Sequence, residues 1–213
     1  IYVINSCTVT ENADRKVRKI VRQTLRRSPE AKIAIVGCYA QLQAEALSAL
    51  PGVSIVLGAK EKFNLPSYIE SSFLNNKSII HNISIDNVEK FVPAYSLGNR
   101  TRSFLKIQDG CDYNCSFCTI PLARGKSRSG TIKDIIVQAD KIAKSQVREI
   151  VLTGVNIGDF GKDINNNLLI LMTALEKLEG IDRFRISSIE PNLLTDEIIQ
   201  FISNSEKFLP HFH

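Results

Sequence analysis

Cys111, Cys115 and Cys118 fall within eight residues, spaced C-x3-C-x2-C, in a chain of 213 residues that holds five cysteines. Thiolates packed this densely suit a metal or a metal–sulfur group. Zinc takes four ligands, as a rule in two separated pairs. Neither C-x2-C…C-x2-C nor C-x2-C…H-x3-H is present, so zinc would need a distant fourth donor. A disulfide with a spare thiol leaves the third cysteine unexplained. An iron–sulfur cubane normally takes four cysteines; three in one loop would hold three irons and leave the fourth open to a small molecule. Zinc and the open-iron cluster both remain, and the spacing favours the second.

Residues 102–108 read as a strand running into this loop. After it, Ile132, Ile135, Ile136, Ala139, Ile142 and Ala143 recur at helical intervals. Strand, ligand loop and helix in that order suit the mouth of an α/β barrel. Further strands are expected at 149–156, 184–191 and from 208, with helices over 167–178 and 195–203. Gly154, Ser187, Ser188 and Glu190 cluster where strands end, the edge at which α/β proteins bind ligands. Four strand starts in one series predict a partial or complete barrel over residues 101–213.

Residues 1–74 alternate in the same way, with strands expected at 1–5, 32–38 and 53–58. Right-handed parallel crossovers and a layered α/β domain follow. Thr8 and Glu11 have capping-box spacing at the head of the first helix. Val17, Ile20, Val21 and Leu25 form its apolar face, opposite Arg15, Lys16, Arg18, Lys19, Arg22, Arg26 and Arg27, and Pro29 ends it. A second helix is expected over 41–50 and a third ending near Leu74. Cys7 and Cys38 each fall just past the carboxyl end of a strand, so two cysteines 31 residues apart can be neighbours in space. Residues 75–100, with asparagine clusters and no clear period, read as a linker that could hold one short strand.

The composition is 44% hydrophobic and 23% charged, with mean hydropathy near zero. That fits a globular protein long enough to bury a core. No apolar run approaches the roughly 20 residues a bilayer span needs, and nothing in the first residues of this chain resembles a signal peptide. A cytoplasmic location and no membrane partner are expected. Lysine and arginine number 27 against 22 acidic residues, a net charge of +5 that permits a polyanionic partner without demanding one. The basic helix face, and Arg124, Lys126 and Arg128 beside the cysteines, would suit phosphate contacts; a solvated charged face explains such runs as well. Both ends cut through apolar runs, so the chain is expected to be an interior piece of a longer protein.

The run from Cys111 to Cys118 resembles the signature of radical S-adenosylmethionine (SAM) enzymes, in which an aromatic residue, here Phe117, commonly precedes the last cysteine. Residues 118–129, 151–158 and 185–191 are similar to segments of the methylthiotransferase family, and residues 5–14 and 36–41 to its amino-terminal domain. The resemblance covers nearly the whole chain, residues 75–100 most weakly. It implies an α/β protein: a flavodoxin-like amino-terminal domain over 1–74, a linker over 75–100, and the first part of a radical SAM (β/α) barrel over 101–213, both domains truncated.

In that family, Cys111, Cys115 and Cys118 would hold a [4Fe-4S] cluster whose open iron binds SAM. The reduced cluster cleaves the cofactor, and the 5′-deoxyadenosyl radical takes hydrogen from an unactivated carbon. Phe117, Gly154, Val155 and Asn156 would lie beside the cofactor, the glycine turn near its amino group. Ser187, Ser188 and Glu190 would face its ribose or methionine part. Cys7 and Cys38 match two of three cysteines of a second [4Fe-4S] cluster, implicated in sulfur supply; the third would lie upstream of Ile1. A small RNA-binding β-barrel usually closes such proteins, and the piece alone is not expected to be active.

The wording is most similar to the branch acting on N6-threonylcarbamoyladenosine beside the tRNA anticodon. There C2 exchanges hydrogen for a methylthio group, with one SAM as methyl donor and another as radical source. The implied partners are the anticodon loop, contacted by Arg124, Lys126 and Arg128, and unidentified sulfur and electron donors. Two alternatives stand beside it. One is the branch acting on N6-isopentenyladenosine. The other, from a different class, is a non-catalytic RNA-binding module stapled by a metal.

Overall fold

Ile33, Ala34, Ile35 and Val36 are all buried, and a strand buried on both faces must lie inside a layered sheet. The computed structural model describes residues 1–7, 10–74, 78–97 and 101–213, the side chains of 71–74 excepted. By packing, the chain divides into two units, residues 1–88 with 113–125, and residues 89–112 with 126–213.

In the first unit β1 (Tyr2–Ser6), β2 (Ile33–Gly37), β3 (Val53–Leu57) and β4 (Ile79–His81) run parallel in that order. Ile33 and Ile35 pack with Val17 and Val21 of α1 (Glu11–Arg27). Ala34 and Val36, on the other face, pack with residues further along, Leu65, Tyr68 and Ile69. The β2–β3 register shifts between Ile33 and Ala34, whose partners are Val53 and Ile55. Ser54 is thus the extra residue of a bulge, which lets Val53 and Val56 share a face although they are three apart.

Thr8, expected to cap α1, lies outside the described residues; the cap is Thr10, whose hydroxyl accepts from Ala13 N. The single helix expected over 41–50 is two short ones, α2 (Cys38–Leu42) and α3 (Ala44–Ser48), with Gln43 between them outside helical geometry. The Asn82 side-chain amide donates to Gln41 O, supplying the donor that a continuing helix would have brought. The following helix, α4 (Leu65–Leu74), ends where expected.

The second unit holds β5 (Ala94–Tyr95), β6 (Arg102–Lys106), β7 (Gln108–Asp109), β8 (Arg128–Ser129), β9 (Glu149–Thr153) and β10 (Arg183–Ser187). β10, β9 and β6 are parallel neighbours, β5 edges the sheet antiparallel to β6, and β7 pairs with β8 as a small ribbon. α5 (Ile120–Arg124) follows the cysteine loop and belongs to the first unit. α6 (Ile132–Ala143), α7 (Leu168–Glu176) and α8 (Asp196–Asn204) bury Ile135, Leu171, Met172 and Ile198 against Leu105, Ile150, Leu152 and Ile186.

Alternation sends the remaining strand residues to the opposite face, in rows Arg102–Glu149–Arg183, Phe104–Val151–Arg185 and Lys106–Thr153–Ser187. Glu149 is buried there and takes Arg185 Nε at 2.7 Å and Arg183 Nε at 3.3 Å. The strand expected from residue 208 is present as one parallel bridge, Phe208 to Phe184. Phe184 N donates to Lys207 O and Leu209 N to Phe184 O, and the two rings stack at 4.9 Å.

Phe184 is fully buried, so Phe184→Ala should cost about 3–5 kcal/mol. Urea unfolding followed by a reporter in the second unit checks this. A loss below about 1 kcal/mol would mean that the site collapses around the gap.

Candidate metal–sulfur and cofactor site

In the first unit β1 and β2 pair to their last residues, Ser6 opposite Gly37, so Cys7 and Cys38 follow directly from two paired positions. The buried Ser6 hydroxyl donates to Val36 O at 2.7 Å and accepts from Ala40 N at 3.3 Å. Gly37 has φ +103, and a Cβ there would stand 2.5 Å from Ser6 O. Only glycine permits this turn, and it makes Cys38 the first residue of α2. Cys38 is buried and Cys7 exposed, both as free thiols. Gln41, in the same turn of chain, donates to Ile83 O and accepts from Ala59 N, fixing α2 beyond the ends of the other strands.

Cys115 and Cys118 are also free and exposed, and Phe117 between them is 98% exposed. Cys118 N donates to Cys115 O at 3.1 Å, closing the turn. α5 then leads to Arg124, whose Nε donates to Cys38 Sγ at 3.4 Å.

In the second unit the organiser is Gln108, fully buried at the head of β7. Its Nε2 donates to Gly110 O at 2.7 Å and Ser127 Oγ at 2.8 Å. Its Oε1 accepts from Val155 N at 2.8 Å and Asn156 N at 3.0 Å. One amide therefore ties the residue before Cys111 to the glycine turn. A Cβ on Gly154 would lie 2.8 Å from Gln108 Oε1 and 2.7 Å from Ile157 Cγ2, so this glycine is required by close packing. The turn is joined in turn to the end of β10. Ser188 Oγ donates to Val155 O, Ile157 N to Ser188 O, and Glu190 N to Asn156 Oδ1. The sequence-predicted Val155, Asn156, Ser188 and Glu190 thus form one hydrogen-bonded set, with Gly154 packed against Gln108, Ser187 half-buried beside it and the Glu190 side chain exposed.

Of the three basic residues expected beside the loop, only Lys126 is exposed. Arg128 is buried, with Nη2 3.4 Å from Asp109 Oδ2 and Nη1 donating to Lys126 O. A guanidinium enclosed in this way braces the β7–β8 ribbon and cannot lie along an RNA backbone. Arg124 is directed to Cys38 rather than to solvent. Gln108 was not among the expected residues. Its signal was a polar side chain in the strand-like run, three positions before Cys111.

Cys111 is half-buried and forms no disulfide. Among the described residues no three Cys, His, Asp or Glu side chains are gathered at metal-binding distance. Thiolates repel one another, so convergence requires the cations of the bound group. The donor set itself, three thiols outside any disulfide on one irregular loop, fits a soft metal–sulfur cluster.

Gln108→Leu should leave two backbone N–H groups and one carbonyl short of partners, at about 1–3 kcal/mol for each buried group. Gln108→Glu keeps the acceptor for Val155 and Asn156 but loses the donor to Gly110. Amide hydrogen exchange separates them: Leu should deprotect both amides, and Glu should leave them protected. Equal protection in the two variants would show that Gln108 does not join the turn to the loop.

Residues 105–213 match the radical SAM superfamily, and residues 1–58 match a family described as uncharacterized protein family UPF0004. The chain is 40% identical to the threonylcarbamoyladenosine tRNA methylthiotransferase of Bacillus subtilis, covering all of this chain and 48% of that protein. It is 37% identical to the enzyme of the same name from Aquifex aeolicus, covering all of this chain and 52% of that one. The chain therefore spans about half the length of the curated relatives it matches. The solved radical SAM methyltransferase TsrM from Kitasatospora setae aligns over 98% of this chain and 47% of its own, with TM-score 0.63 and 14% identity. That likeness concerns the fold. Among the described residues no helix is long and apolar enough to cross a membrane. With the superfamily pattern matched across its second half, and the α/β sheet and three-thiol loop in place, the chain belongs to the radical SAM superfamily.

Proposed function

We propose that the protein containing this chain is a tRNA methylthiotransferase that converts N6-threonylcarbamoyladenosine, next to the anticodon, to its 2-methylthio derivative in the cytoplasm. The observation that carries this reading is the identity, from end to end of the chain, to two enzymes named for that modification. The pairing of a UPF0004 region with a radical SAM region in one chain supports it further.

In this reading Cys111, Cys115 and Cys118 would hold a [4Fe-4S] cluster that works together with SAM. When bound, cluster and cofactor supply a radical able to abstract hydrogen from the adenine C2 position. The chain's own residues position and shield. Gln108 fixes the stem of the cysteine loop against the turn 154–156. Asn156 and Ser188 hold that turn to the segment carrying Glu190, whose exposed carboxylate is available to a cofactor hydroxyl or ammonium group. Phe117, exposed between two ligands, can cover a planar or apolar part of the cofactor. Cys7 and Cys38, with a further cysteine of the protein, hold a second cluster involved in sulfur supply. Lys126 and the lysines of α1 are left for phosphates. The substrate nucleotide leaves its stack at little cost because the anticodon loop is single-stranded.

The test begins with anaerobic reconstitution with iron and sulfide, followed by metal analysis and electron paramagnetic resonance with and without SAM. A Cys118→Ala variant should lose about four irons per chain and the cofactor-dependent change in the spectrum. Zinc without iron would instead support the metal-stapled RNA-binding module. Nucleoside mass analysis of tRNA from cells making the protein should show the 2-methylthio derivative of threonylcarbamoyladenosine. Formation of the isopentenyladenosine derivative in its place would assign the other branch.

A further inference from the structure

Arg124 has a position that its sequence neighbours do not explain. It lies at the end of a helix of five residues, half-buried, and its Nε–H points at a sulfur 86 residues away in the chain. The acceptor, Cys38, is 9% exposed, so the sulfur side of the contact is shielded from water while Arg124 is half-buried. Both partners are held. Gly125 N donates to Pro121 O and ends α5 at Arg124, while Ser6 and Gln41 fix the turn that carries Cys38. Cys118 stands just before α5 and Arg124 at its end. The same short helix thus follows one cluster-type cysteine and presents a cation to another.

We infer that Arg124 is a positioning residue for the metal–sulfur group held by Cys38, donating an N–H···S hydrogen bond that raises the reduction potential of that group. The inference rests on the reading of Cys38 as a cluster ligand. Hydrogen bonds and positive charge at a ligating sulfur withdraw electron density and stabilise the reduced, more negative state of an iron–sulfur cluster. Burial strengthens the effect by excluding water from the sulfur. A guanidinium suits the task because its charge is permanent and its planar N–H groups hold their direction, which a lysine cannot reproduce. The role is electrostatic, and no bond to Arg124 is made or broken.

The experiment uses the full-length protein with Cys111, Cys115 and Cys118 all changed to alanine, so that only the second cluster is loaded. Iron content is measured first. Its loss on adding Cys38→Ala establishes Cys38 as a ligand, and its retention would overturn that underlying reading, separately from anything concerning Arg124. Arg124→Met and Arg124→Lys are then titrated potentiometrically, with the reduced cluster followed by electron paramagnetic resonance. Arg124→Met should keep its iron and shift to lower potential. At a fixed potential its reduced-to-oxidised ratio should fall about tenfold, equivalent to ~59 mV for one electron, with Arg124→Lys in between. A wild-type midpoint in an iron-loaded Arg124→Met protein overturns the inference. If Arg124→Met cannot hold iron, Arg124→Lys decides. A loaded cluster at lowered potential supports the inference. A wild-type midpoint, or loss of iron there too, overturns it in favour of a purely structural role.

Discussion

Where a parallel strand stops, its last N–H and C=O groups lose their ladder partners, and if they are buried something else must pair them. In both units short polar side chains meet that requirement, and the same bonds place the residues with chemistry. Ser6 joins the ends of β1 and β2 and the start of α2. Gln41 reaches from α2 to residues 59 and 83. Gln108 and Asn156 do the equivalent work at the ends of β6, β9 and β10. Cys38 and the turn at 154–156 owe their positions to the amide and hydroxyl groups of neighbouring side chains. The exposed thiols Cys115 and Cys118 stand on an irregular loop whose stem is fixed in this way.

Charge is distributed by the same logic. A carboxylate taken out of water must be matched by cations and hydrogen bonds. Glu149 is matched by Arg185 and Arg183, Asp109 by Arg128 and Lys106, and the almost fully buried Asp159 by Lys162 and Asn156. Arg18 of α1 is likewise engaged, with two N–H groups on the Tyr39 hydroxyl. Several basic residues that a linear reading offers to RNA are therefore used within the fold. The net charge of +5 says little about where a polyanion could lie, because internal pairing removes particular cations from the surface.

The motif glycines divide by physical cause. Gly37 is fixed by a backbone conformation that other residues avoid, Gly154 by the approach of the Ile157 and Gln108 side chains. In a sequence both read only as a glycine near a strand end. The difference matters for substitution, since the crowding at position 154 comes from the side chains of Ile157 and Gln108 and would need both to give way, whereas no neighbouring change relieves the backbone conformation at position 37.

The sequence by itself determined the strand–helix alternation of both halves, the apolar face of α1 and the density of thiols at residues 111–118. These are patterns of one to a few residues, set by pleat, helical turn and ligand spacing, and they need no knowledge of distant chain. Short elements escaped it for the same reason. β4, β5 and the break at Gln43 contain too few residues to show a period. Tertiary structure alone decided that Arg124 meets Cys38, that Arg128 is buried against Asp109, and that Gln108 caps a turn 47 residues away. Those pairings depend on strand register and on how each crossover returns, which arise when the whole sheet closes over its core and leave no local mark in the order of residues.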